Sequence, residues 1–236
     1  MDIIDEIRAE LLANADSDAK ASSARFFKEP VLMYGMKSKL VKQIAKKYLG
    51  QIKSAQLPKA DVLDICAALW ESGMLEESFV ACVFTESMDK SLDAGDFQVL
   101  ENWVYSYVGN WASCDTLCNH TIGNLLARYP ELAERLLIWA QSDSRWVKRA
   151  SAVSFIIPVR RGLFQALAFQ IADTLLLDTD DMVQKGYGWL LKSISEYDQL
   201  AVFAYIMKHK DRMPRTSLRY AIEKLPADLK QQAMVR

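Results

Sequence analysis

The chain has 236 residues, of which 51% are hydrophobic and 25% charged, with a formal net charge of −1. That composition excludes a disordered chain and is large enough for a core without disulfide staples. No apolar run reaches the ~18–20 residues of a membrane span, and the acidic start MDIIDEIRAELL has neither the basic nor the apolar region of an export signal. A cytoplasmic protein is therefore expected, with its four cysteines reduced.

Apolar residues recur at helical spacing almost throughout, with no period-two alternation to suggest strands. A first helix is predicted from Asp2 to Ala13, and a second after Asp16, carrying Ala24, Phe26 and Phe27. Pro30 to Gly35 reads as a loop. A basic helix follows from Lys37 to Tyr48, stopped by Gly50. Pro58 opens a helix that runs to about Trp70 and ends near Gly73. Further helices are expected at Leu75–Met88, Phe97–Val108, Ala112–Tyr129, Pro130–Gln141, Arg145–Ile157, Leu163–Leu177, Asp181–Ser195, Gln199–His209 and Pro214–Lys224. Asp143 and Ser144 are suited to cap the helix of Arg149, and Asp180 and Asp181 that of Trp189. Short links between helices of this length point to an all-α protein. The expected architecture is a curved solenoid of antiparallel helix pairs, HEAT-like or armadillo-like, forming a single domain over 1–236.

Charge is unevenly spread. From Pro58 to Glu101 only Lys59 and Lys90 are basic against ten acidic residues, a sum of −8 that leaves +7 for the remainder. Arg145, Lys148, Arg149, Arg160 and Arg161 cluster against Asp143 alone. The pattern suggests a basic face backed by an acidic one.

Three tryptophans each carry a polar partner about one turn further on: Trp111 with Asp115, Trp146 with Arg149, and Trp189 with Lys192. Residues three or four apart share a helix face. The pairs recur at intervals of 35 and 43 residues, close to the roughly 34–47-residue periods of helical repeats. Taken singly, each is an ordinary core tryptophan or surface charge. Jointly they offer aromatic faces, a carboxylate and two cations, a set suited to a ligand that has both negative charge and a cationic centre. Ring faces attract cations, an arginine fork fits phosphate, and glycosidic cleavage builds positive charge on a sugar ring.

Other chemistries find little support. Cys114, Cys118 and His120 lie close together, but a zinc site needs about four ligands and the other cysteines and His209 are remote, so core cysteines are the better reading and no metal is expected. No phosphate-binding glycine loop, dinucleotide fingerprint or H-E-x-x-H motif is present.

The chain resembles the bacterial DNA alkylation repair enzymes of the AlkD type, HEAT-like alkylpurine DNA glycosylases. Four stretches carry the likeness: ARFFKEPVLMYGMKSKLVKQIAKKY, NWASCDTLC, SRWVKRASAVSF and VQKGYGWLLKSIS. The resemblance implies that Trp111, Asp115 and Trp189 surround the deoxyribose of the lesion and act in catalysis. It implies that Arg149 and Lys192 hold the DNA backbone and that Phe26 lies near the DNA; Lys42 is expected to join Arg149 and Lys192 in a basic stripe that binds duplex DNA, although Gly35 to Lys42 has lysines where the family favours a proline and an arginine. It further implies excision of N3- and N7-alkylated purines from duplex DNA without flipping the base into a closed pocket, by a monomer that needs no cofactor. Ala112 stands where an acidic residue often follows the tryptophan, and Lys192 stands where arginine is usual. The alternatives are a non-catalytic DNA-binding relative for distorted or branched DNA, and a protein-binding HEAT scaffold.

Overall fold

A computed structural model describes residues 2–235. The described residues are all-α, with no strand among them. They pack as two compact units. The first holds the residues up to Leu92 together with Ser106–Thr116, and the second holds Asp93–Tyr105 together with the chain from Leu117 onward.

In the first unit α1 (Ile3–Ala13) starts at Asp2, whose carboxylate accepts from the Ile4 amide, and it buries Ile7 and Leu11 four residues apart. The next helix, α2 (Ser17–Ala24), buries nothing. With no packing to extend it, it ends before Phe26 and Phe27, which lie in the following turn rather than in the helix as expected. α3 (Ser38–Ser54) buries Val41, Ile44, Ala45, Tyr48 and Ile52 along one face. It runs straight through Gly50, correcting the expected stop. Glycine costs a helix about 1 kcal/mol, and burying Ile52, 4% exposed, outweighs that. The turn that ends the helix is made instead by Gln56 at φ 53°. α4 (Lys59–Glu71) and α5 (Leu75–Ser87) pack on each other, and α5 also packs on α3.

After α6 (Phe97–Ser106) comes α7 (Trp111–Thr116), which packs on α5. The helical path continues through a π-helical segment, Leu117–Ile122, into α8 (Gly123–Arg128). Pro130–Glu134 is a 3-10 turn before α9 (Arg135–Trp139).

The stretch expected as one helix from Arg145 to Ile157 is two, α10 (Arg145–Val153) and α11 (Ile156–Arg160). Pro158 has no N–H to give the Ser154 carbonyl, and the helix breaks there. Next come α12 (Gln165–Leu175) and α13 (Asp181–Ile194), then α14 (Gln199–His209) and α15 (Arg215–Ala221). A final helix that the periodicity did not suggest, α16 (Ala227–Met234), follows Pro226. Two glycines let α13 lie close to its neighbours. A Cβ on Gly186 would come within 3.3 Å of the Arg149 side chain on α10, and one on Gly188 within 2.8 Å of Tyr220 Cβ on α15.

Candidate functional site

In the first unit the site is built around Trp111, the first residue of α7. Asn110 caps that helix: its carbonyl accepts from the Cys114 amide and its side-chain oxygen from Ser113 at 2.9 Å. The Trp111 ring is half-buried and stacked on Phe27, with centroids 5.5 Å apart. Its Nε1–H donates to the Phe26 carbonyl at 3.2 Å. The indole is thus held on one face and at its polar edge. Asp115, half-buried, lies one turn on along the same helix face.

Phe26 itself is 71% exposed beside this ring. Beneath it is an open cavity of about 210 Å3 lined by Phe26, Phe27, Met33, Met36, Ser38 and Trp111 among others. Ala112, the departure from the family pattern, is buried in an apolar cluster with Met33 and Leu75, an environment that would penalise a carboxylate. Lys42 stands exposed on α3. Phe27 was not singled out in the sequence; its only signal there is the doubled phenylalanine.

The segment Tyr34–Met36, next to Met33, is fixed by a buried carboxylate. Glu76, on α5 and 3% exposed, accepts from the Gly35 amide at 2.8 Å and from Met36 at 3.2 Å on one oxygen, and from Tyr34 at 2.9 Å on the other. Its neighbour Glu77 accepts from Arg8 Nε at 3.1 Å and from the Tyr34 hydroxyl at 2.7 Å. Burial, and then the hydrogen bond to that carboxylate, push the Tyr34 phenol well above its ordinary range.

The second unit carries the other candidates on α10 and α13. Trp146 is partly exposed, with the Arg145 guanidinium 4.5 Å from its ring centre. Ser144 occupies the N-cap position of α10 but makes no side-chain capping bond, whereas Asp180 caps α13 through the Met182 and Val183 amides. Arg149, expected as an open phosphate-gripping cation, is only 5% exposed. Its guanidinium donates to the Met182 carbonyl at 2.6 Å and its stem lies against Gly186, so it ties α10 to the first turns of α13. Gly186 lies six residues before Lys192, and three residues after Gly186 comes Trp189, which is partly exposed. Lys192 is drawn to Glu223 at 3.1 Å and lies 5.7 Å from the Tyr220 ring centre. Its side chain is 16% exposed and that of Glu223 54%.

The acidic stretch is not simply an outer face. Glu76, Glu77, Asp96 and Glu101 are buried. Glu101 accepts from Trp139 Nε1 at 2.7 Å and pairs with Arg135 at 2.8 Å. The four cysteines are buried free thiols, and burial pushes the Cys66 thiol far up. Among the described residues no three His, Cys, Asp or Glu side chains gather to hold a metal, and no helix is long and apolar enough to cross a membrane.

No functionally curated protein matches the chain. Among solved structures, a predicted DNA alkylation repair enzyme from Enterococcus faecalis superposes with a TM-score of 0.80 over 91% of this chain and 98% of that one, at 14% identity. At that identity the likeness shows a shared fold. The sequence pattern of the DNA alkylation repair enzymes matches residues 7–225, nearly the whole length, and the chain belongs to that family.

Proposed function

We propose that the protein is a DNA glycosylase that removes cationic N3- and N7-alkylated purines from duplex DNA. The observation that carries the reading is the construction around Trp111: a tryptophan ring locked by Phe27 and the Phe26 carbonyl, with a carboxylate one turn on, in a member of this family. An alkylated purine of this kind is positively charged. When its glycosidic bond breaks, the bonding pair neutralises the base, and the positive charge passes to the sugar. Water then bonds to C1′ and loses a proton.

In this reading Asp115 stabilises the developing sugar cation and accepts the proton of the attacking water, and the Trp111 ring face adds cation–π attraction. Trp189 is assigned the same task by the family resemblance. The leaving base is already activated, so no purine-reading pocket is required.

For the backbone contacts, Lys192 is proposed to exchange Glu223 for a DNA phosphate. With Glu223 54% exposed, the pair is solvent-screened on its acidic side and worth on the order of 1 kcal/mol, so the exchange costs little. Arg149 is proposed to act mainly by positioning α13. The engagement of both cations by protein groups speaks against a strong grip on the backbone and is the point in favour of the second reading, a protein-binding HEAT scaffold without catalysis.

Asp115→Asn decides between them. The glycosylase reading expects single-turnover release of N7-methylguanine from methylated duplex to fall by ~10²–10³-fold, the effect of losing one preorganised electrostatic group. DNA binding is kept and the melting temperature is unchanged. An unaltered rate in the folded variant removes Asp115 from the chemistry.

A further inference from the structure

The second unit carries a feature that the glycosylase reading does not use. The only charged residue of α6 is Glu101, and it is buried, so that helix turns no charge outward. Its exposed side shows Gln98, Val99, Asn102 and Tyr105 instead. Together with Glu101 and with Arg135 of α9, Gln98, Asn102 and Tyr105 line a shallow polar cavity of about 210 Å3. Ile138, one turn from Arg135, is 56% exposed. Arg135 is held by one nitrogen only. Its Nη2 donates to both oxygens of Glu101, at 3.0 and 2.8 Å, and among the described residues neither its Nε nor its Nη1 makes a hydrogen bond. The Gln98 carboxamide makes none either. Glu101 is 5% exposed and the arginine side chain 49%, so the outer end of the pair is the cation. The Tyr105 ring meets Trp139 edge-on, with centroids 6.2 Å apart, which fixes it beside the cavity.

Gln98 and Asn102 are four residues apart, so their carboxamides stand about 6 Å apart along the helix axis. A carboxamide carries donor and acceptor together, as a peptide unit does. In an extended chain the main-chain groups that face one edge recur every two residues, about 6.7 Å. The two spacings agree within about 1 Å. We propose that this face of α6 and α9 binds an extended, acidic peptide segment of a partner protein. Gln98 and Asn102 hold alternate residues of its main chain, and Arg135 pairs with one of its carboxylates through Nε and Nη1. Tyr105 and Ile138 supply the aromatic and apolar contact. Few charges, with a tyrosine and an arginine among them, is the make-up of an interface core. A second folded copy is the poorer occupant: Gln98 to Tyr105 extends only about 10 Å along α6, too little for the ~800 Å2 per partner that a stable dimer buries. Nucleic acid fits poorly too, since the face offers a single cation already shared with Glu101. Peptide binding here is independent of the glycosylase reading.

The test uses the full chain and, as probe, a phage-displayed library of random dodecapeptides. Selected peptides are synthesised and titrated by fluorescence anisotropy. They are expected to carry Asp or Glu, and exchanging that residue for Asn or Gln should weaken binding about tenfold, as loss of a charge-assisted bond does. Gln98→Leu and Asn102→Leu should each weaken it about tenfold. Leu200→Ser, a change of an exposed residue on α14, should leave it unaltered. N-methylation of the peptide, one nitrogen at a time, reads the main-chain grip: alternate positions should lose more than about tenfold and the intervening ones little. Melting curves check that each variant folds. Gln98→Leu breaks no hydrogen bond among the described residues, so it carries the test should Asn102→Leu fail to fold.

Binding indifferent to Gln98→Leu, or an N-methyl scan without a two-residue period, would overturn the peptide site. So would a library that yields no binder above the Gln98→Leu background. Sedimentation of the free protein at the same concentrations tests the other occupant. A monomer is expected, and a dimer that is lost on Gln98→Leu would give the face to a second copy and end the proposal.

Discussion

Glu76→Gln is the sharpest test of how the first unit is held. The glutamate accepts three backbone N–H groups, from Tyr34, Gly35 and Met36, at 2.9, 2.8 and 3.2 Å, while 3% exposed. A glutamine has one oxygen. With the amide turned so that its oxygen keeps Gly35 and Met36, its NH2 meets the Tyr34 N–H donor to donor. The other orientation abandons two bonds to keep one. At least one charge-assisted bond is lost, worth about 1.5–3 kcal/mol, and the remaining two fall to roughly half strength. Relief from burying a charge returns part of this, so the net cost is about 3 kcal/mol. For a chain of this size that lowers the melting temperature by about 6–12 °C. Urea unfolding followed by circular dichroism, at unchanged m, reads the stability directly. Hydrogen exchange should show faster opening at residues 33–36, of which Met33 and Met36 line the cavity beside Trp111. A variant within 0.5 kcal/mol of wild type, the size of an ordinary surface change, would mean that the three amides find other acceptors and that Glu76 does not fix this segment.

Two further outcomes follow from packing and from charge. Gly188→Ala brings a Cβ within 2.8 Å of Tyr220 Cβ and 2.9 Å of the Ser217 carbonyl; overpacking of about 1–3 kcal/mol, less up to about 1 kcal/mol of helix propensity, leaves a net loss of about 1–2 kcal/mol. Gly50→Ala, with nothing within 4 Å of its Cβ, should gain about 0.4–1 kcal/mol, and thermal melts that fail to separate the two in sign refute the packing account. The hydrogen bond from Lys47 holds the Glu10 carboxyl below its usual range, and backbone amides of Ala19 and Asp18 do the same for Asp16. Depressed carboxyls stabilise fully above their unfolded values, near 4, and lose that contribution as pH falls through the lower folded values. Glu10→Gln should therefore be less stable than wild type at pH 6, by no more than about 1 kcal/mol given its exposure, with the gap closing between pH 5 and 3; a gap that persists at pH 3 contradicts the ion pair as its cause.

Much of the helix pattern was legible because it depends on local spacing. Ile7 with Leu11, and Val41 through Ile52, repeat at three and four residues, and Asp180 caps α13 as its position suggested. The misplaced boundaries come from contests that local spacing does not record. Gly50 lost to the burial of Ile52 two residues later. The break between α10 and α11 falls at Ser154, not at Ile157, because Pro158 withholds a bond four residues back. In the site, the i,i+4 relation of Trp111 and Asp115 was readable, but the Phe27 stack joins residues 84 positions apart and leaves no periodic trace. Arg149 illustrates the same limit from the other side. Its residue type and spacing suggest a surface cation, and only the approach of α13, permitted by Gly186, shows its guanidinium turned to the Met182 carbonyl.

The same distinction bears on the net charge of −1, which on its face argues against a nucleic-acid protein. A sum over the sequence weighs every charge alike, but a duplex samples only the field outside the protein. Glu76, Glu77 and Glu101 are buried, and each is matched by amides, by a tyrosine or tryptophan donor, or by an arginine. Such acids spend their charge on holding the 34–36 loop and the Glu101–Arg135 contact, and little of it is left to repel phosphate. Arg8 and Arg135, about 39% and 49% exposed, are the cations most compensated by them. Lys39, Lys42, Lys46 and Lys53, exposed on α3, have no such compensation. The outward charge of the first unit is therefore more positive than its composition. A near-neutral chain can on this account bind DNA with a steep salt dependence. Four of the acids, Glu76, Glu77, Asp96 and Glu101, face inward, and these do little to cancel the basic surface.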